Sequence, residues 1–117
     1  MNMHYKRADR VAAVIHEELG KMLLMDMKDP DVANVTVIKV EMTDDLHYAK
    51  VYYSVLGDDE KLEAAKKALE RSRGFIRTEI GRRIKIRLTP EISFVHDSTA
   101  AYADHIEHLL KKIKEEN

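Results

Sequence analysis

Apolar residues recur at three- and four-residue spacing near the start of the chain. Val11, Val14, Ile15, Leu19, Met22 and Leu23 form one stripe, which predicts an amphipathic helix over 7–27. Pro30 disfavours helix at the residue before it and stops the stripe at Lys28-Asp29-Pro30. The period then changes to two. In 35–42, Ile38, Val40 and Met42 alternate with Lys39 and Glu41; in 47–56, Ala49, Val51, Tyr53 and Val55 alternate with Tyr48, Lys50, Tyr52 and Ser54. These are two half-buried strands, and the polar Thr43-Asp44-Asp45-Leu46 between them makes an antiparallel hairpin with one wet face.

Gly57-Asp58-Asp59-Glu60 ends the second strand and supplies an N-cap and first-turn carboxylates for a further helix. Its apolar positions run Leu62, Ala65, Leu69, Ile76, Ile80 and Ile84, with Ser72-Arg73-Gly74 interrupting them. Glycine costs about 1 kcal/mol in a helix interior, so two helices joined by a tight break are expected here. A short strand follows Pro90, with Ile92 and Phe94 on one side. Asp97-Ser98-Thr99 then caps a last helix carrying Tyr102, Ile106, Leu109, Leu110 and Ile113. The predicted order is α-β-β-α-α-β-α, an α+β layer in one domain, residues 1–117, with 115–117 as a fraying end.

Composition narrows the chemistry. The chain of 117 residues has no cysteine, so it has no disulfide framework, thiolate nucleophile or Cys-based metal cage. No apolar run approaches the length of a membrane span, and Glu17 and Glu18 interrupt the segment where a secretory signal would need its apolar core. The cytoplasm is the expected location.

The near-neutral total of 20 basic and 21 acidic residues hides an asymmetry. From Lys66 to Arg87 nine cations face only Glu70 and Glu79, an excess of seven, which leaves the rest of the chain with eight excess negative charges. Cations at that density repel one another unless an anion neutralises them, and arginines suit bidentate phosphate contact. The window therefore points to a polyphosphate backbone. Its candidates are Lys67, Arg71, Arg73, Arg77, Arg82, Arg83, Lys85 and Arg87, with Ser72 and Gly74 shaping the surface. Lys6, Arg7 and Arg10 are secondary RNA-binding candidates, and Tyr48 and Tyr52 are possible stacking residues on the wet sheet face. Gly74 has two readings. It either opens a helix whose N–H groups, with Arg73 and Arg77, make a phosphate-binding corner, or it only permits a bend or tight packing.

Catalytic and metal constellations are missing. His105 and His108 fall at or beyond the edge of the last apolar stripe by helical phase. Adjacent His96, Asp97 and Ser98 point in different directions and cannot converge as a triad. No P-loop, G-x-G-x-x-G or HExxH is present. The expectation is a binding protein, not an enzyme, without metal, cofactor, small-molecule substrate or membrane partner.

Several segments together carry a family resemblance. They are Arg10-Val11 and the helix after it, Lys28-Asp29-Pro30, Val40-Glu41-Met42 through Ala49-Lys50-Val51-Tyr52, Gly74-Phe75-Ile76-Arg77, and Pro90-Glu91-Ile92-Ser93-Phe94 with Asp97. In this order and over nearly the full length, the chain resembles the ribosome-binding factor A family of bacterial small-subunit assembly factors. The resemblance implies a type II KH-like fold, α-β-β-α-α-β with a C-terminal helix. It also implies a helix-kink-helix in place of the G-x-x-G loop with which ordinary KH domains clamp nucleotides. The family's Ala-x-Gly break falls on Ser72-Arg73-Gly74, and the glycines at 74 and 81 are too far apart for a G-x-x-G. The implied role is binding of the free 30S subunit late in assembly, with support for 5′-end maturation of 16S rRNA and for growth in the cold. The implied partners are the 30S subunit and the 5′-terminal helix region of 16S rRNA, bound by a monomer. The alternatives are a generic KH-like RNA-binding domain, a basic protein-interaction module, or an RNA-processing enzyme.

Overall fold

The computed structural model describes residues 7–98. The first apolar stripe folds as α1 (Arg7–Lys21) and continues into one wider π-helical turn, Met22–Asp26. There the Met27 N–H donates to the Met22 carbonyl at 2.9 Å. Beyond it the chain turns extended at Met27 and Asp29, as the proline at 30 demands. The Asp29 carboxylate accepts the Asp31 N–H at 2.9 Å and caps a short 3-10 turn, Pro30–Val32.

Strands β1 (Val35–Met42) and β2 (Tyr48–Val55) pair antiparallel, and β3 (Glu91–His96) pairs with β2 in parallel, so β2 lies in the middle. A parallel pair needs a long crossover, and α2 (Asp59–Arg83) provides it. Gly57 opens that crossover at φ +132°, in the region that favours glycine, and the Asp58 carboxylate accepts the Lys61 N–H at 3.0 Å as the N-cap.

Ala49, Val51, Tyr53 and Val55 of β2 are all buried, and all lie on one face of the sheet. Ile15 and Leu19 of α1 and Leu69, Ile76 and Ile80 of α2 join them in a single apolar cluster. Both helices therefore cover the same sheet face. Burying each of these side chains is worth roughly 1.5–3 kcal/mol, so this one layer contact holds the fold together. The opposite face is wet toward the hairpin turn, where Tyr48 and Lys50 are exposed and Tyr52 partly so, and closes at Ser54, which is buried.

Two expectations are corrected. Ile38 does not share a face with Val40 and Met42 throughout a regular strand. The pairing shifts between Val37 and Lys39, so β1 carries a bulge at Ile38. Val35 and Val37 pack on the core before it, Val40 and Met42 after it. The extra residue resets the alternation, which a strict period of two cannot do.

The second correction concerns the central helix. It runs as one hydrogen-bonded helix of 25 residues through Ser72, Arg73 and Gly74, where two helices joined by a tight break were expected. Gly74 has no positive φ, is exposed, and a Cβ there would meet nothing within 4 Å. The apolar stripe passes Ser72 in phase, from Leu69 to Ile76 in steps of three and four. One glycine among good helix formers does not outweigh that continuity. No helix begins at Gly74, so of its two readings the phosphate-binding corner of free N–H groups is not formed. Gly74→Ala should therefore raise stability by about 0.5–1 kcal/mol, read as a higher urea midpoint at unchanged slope. A lower midpoint would show that the glycine conformation is needed after all.

The predicted helix after Asp97, with His105 and His108, lies outside the described residues, as does Lys6.

Candidate nucleic-acid interface

Charge is distributed along α2 rather than around it. Asp59 and Glu60 stand in its first turn, Arg82 and Arg83 in its last, an arrangement that also complements the helix dipole. Lys67 sits near the acidic end. It lines a shallow concavity with Asp31, Asp59, Glu60, Glu63 and Arg71, where four carboxylates repel phosphate. Arg71 is tied to Asp29, its Nη2 donating to Oδ2 at 3.1 Å. Lys66, at 3.8 Å from Glu63, belongs to the same neighbourhood.

Two more of the predicted phosphate ligands are occupied by the fold. Arg77 donates through Nε to the Pro90 carbonyl and through Nη2 to the Thr89 carbonyl, both at 3.1 Å, with Glu91 at 3.6 Å. It clamps α2 to the entrance of β3. Arg83 reaches the other way, to Asp26 of the π turn, Glu18 of α1 and Glu79 of its own helix. The Asp26 hydrogen bond first, and Glu79 after it, raise its pKa above the usual arginine value. Ser72 is half-buried because the core residues Leu69 and Ile76 flank it on the same side of the helix. It does not belong to the exposed surface.

Further exposed cations lie along the second half of α2 and just beyond. Arg73 is exposed, with only Glu70 near it at 3.6 Å. Arg82 has 74% of its side chain exposed and shares Glu79 with Arg83. After the helix, Ile84 is buried and Ile86 packs on the core, which turns Lys85 and Arg87 outward. Neither Lys85 nor Arg87 has an ion-pair partner among the described residues. Phe75 has half its surface exposed and lies two turns before Arg82 on the same flank of α2, and sequence reasoning did not single it out. The available signal was its phase: it neighbours the core residue Ile76, yet Ile76 and Ile80 already fill the buried stripe.

The secondary candidates divide. Arg7 and Arg10 are exposed on α1. Tyr48 is exposed, whereas the Tyr52 hydroxyl donates to Glu41 at 2.8 Å and Lys39 Nζ lies 4.6 Å from the centre of its ring. That hydrogen bond holds the Glu41 carboxyl below its ordinary pKa. Tyr52 is thus a covered cross-strand residue, not an open stacking face. Among the described residues no three His, Asp or Glu side chains are grouped so as to hold a metal ion, and no helix is long and apolar enough to cross a membrane.

A three-stranded sheet with both helices on one face, and a helix ending in exposed arginine and lysine, define an α+β domain of the KH-like class. The chain belongs to the ribosome-binding factor A family, whose sequence pattern matches residues 7–110. The ribosome-binding factor A of Syntrophobacter fumaroxidans is 44% identical over 113 residues, covering 95% of this chain and 97% of that one. That of Geotalea daltonii is 39% identical over 109 residues, covering 93% and 89%. Among solved structures, a putative ribosome-binding factor A from Thermotoga maritima is 34% identical and superposes with a TM-score of 0.61 over 81% of this chain and 90% of that one. The Thermus thermophilus crystal structure shares the fold at 22% identity, with a TM-score of 0.67 over 76% and 94%. A Thermus thermophilus model fitted into an electron-microscopy map of a 30S–ribosome-binding factor A complex has a TM-score of 0.66 over 80% and 97%.

Proposed function

We propose that this protein binds the free 30S subunit during late assembly and contacts its rRNA through the basic end of α2. The observation that carries the reading is the outward set Arg73, Arg82, Lys85 and Arg87, left available while Arg77 and Arg83 hold the fold. The family's name as a ribosome-binding factor rather than an enzyme class, and the placement of the Thermus relative in a 30S complex, support it. In this reading the protein acts as a cytoplasmic monomer by binding alone. It supports 5′-end maturation of 16S rRNA and growth in the cold, with the 5′-terminal helix region as its rRNA target.

Co-sedimentation with free small subunits, set against intact ribosomes and repeated across salt concentrations, tests this. About five neutralised phosphates give a log–log salt slope near −4, at roughly −0.7 to −0.9 per contact. The protein should pellet with free subunits and not with intact ribosomes. A flat salt response overturns the phosphate-contact mechanism.

A further inference from the structure

We propose that Phe75 is a stacking platform for one unpaired rRNA base, set within the phosphate-binding face of α2. The inference rests on the RNA-binding reading above and adds to it a site for a nucleobase. Phe75 is 52% exposed in the middle of α2, between exposed Gly74 and the core residue Ile76, with Thr78 and the mostly buried Glu79 one turn on. The core does not require it, because Ile76 and Ile80 are fully buried beside it. One turn before it on the same face is Arg71, which holds Asp29 yet keeps most of its side chain exposed, and two turns after it is Arg82. Next to it, Gly74 leaves the helix surface bare, with open space where a Cβ would stand.

This combination suits one kind of occupant. An exposed aromatic face with Arg71 one turn before it and Arg82 two turns after it is unfavourable for an apolar protein surface, which would have to desolvate the arginines. It is favourable for single-stranded nucleic acid, where phosphates meet the cations and an unstacked base covers the ring. A continuous duplex offers no free base face, so the platform selects a bulge, loop or junction in the rRNA. The bare backbone at Gly74 lets the sugar and phosphate of that nucleotide come close to the helix.

The chain contains no tryptophan, so Phe75→Trp installs a single reporter at the site. Leu56→Trp is the control. Leu56 is 75% exposed and precedes α2, whose first residue, Asp59, lies roughly 24 Å along the helix axis from Phe75 at about 1.5 Å per residue. Purified free small subunits are titrated into each variant. Stacking on a base should quench the Phe75→Trp emission strongly and leave the Leu56→Trp emission nearly unchanged.

In parallel, Phe75→Ala should fold like the parent and bind small subunits about ten- to a hundredfold more weakly, the loss expected for one stacked base. Its salt slope should stay that of the parent, because no phosphate contact is removed. Phe75→Tyr should keep parental affinity. Parental binding by Phe75→Ala with no quenching of Phe75→Trp overturns the stacking site while leaving the RNA reading intact. A brighter, blue-shifted Phe75→Trp emission shows burial against a ribosomal protein and also overturns it. A parent protein that binds no small subunits overturns both readings together.

Discussion

Arg82→Glu combined with Arg87→Glu is expected to fold normally and to lose association with the small subunit. Both side chains point to solvent, and Glu79 keeps Arg83 as a partner when Arg82 is changed. The new carboxylate at 82 faces Glu79 one turn away, a like-charge pair worth only a few tenths of a kcal/mol, about 0.2–0.5. Binding responds far more. Losing two phosphate contacts weakens association roughly twentyfold near physiological salt, and the introduced repulsion adds to that. The matched control reverses Lys39 and Lys50 on the wet sheet face, changing net charge by the same amount. It should bind like the parent. Urea unfolding and subunit co-sedimentation, run side by side on both variants, give the answer. Equal loss in both would show that overall charge matters and not the end of α2. Parental binding by the Arg82/Arg87 variant would place the RNA site elsewhere.

The largest effect on stability is expected at Ile76. Ile76→Ala removes a fully buried side chain from the contact between α2 and the sheet, and such truncations cost about 2–5 kcal/mol. The residue before it behaves oppositely. Phe75→Ala changes an exposed position, and surface substitutions usually stay within about 0.5 kcal/mol. Adjacent residues on one helix thus separate the fold from the site: Ile76→Ala should lower the urea midpoint sharply, Phe75→Ala should lower affinity alone. A small loss at Ile76 would mean that the core closes over the gap or that α2 is less firmly seated than its burial implies.

The element order was largely legible. Period-3.6 stripes placed α1 and α2, period-2 runs placed the hairpin and β3, and Pro30, Gly57 and Asp58 marked their ends. Each of these signals is local, so the residues that carry it also enforce it. The bulge at Ile38 was not legible, because it is defined by pairing with Tyr52 and Tyr53 across the hairpin. The break expected at Ser72-Arg73-Gly74 came from weighing one glycine by itself. The continuous stripe on both sides, packed on the sheet, outweighs a propensity of about 1 kcal/mol.

For the candidate interface, the chain alone determined that an excess of cations falls between Lys66 and Arg87. Charge is additive and needs no coordinates. Only the tertiary structure decided which of those cations are available. Arg77 is held by the carbonyls of Thr89 and Pro90, and Arg83 by carboxylates from α1 and the π turn, partners up to 65 residues distant along the chain. Lys67 is set among carboxylates, whereas Lys85 and Arg87 face outward because Ile84 and Ile86 face in. Whether a guanidinium binds phosphate or braces the fold depends on which acceptors the folded chain brings within hydrogen-bond distance. That distance is a property of the packing, not of the residue.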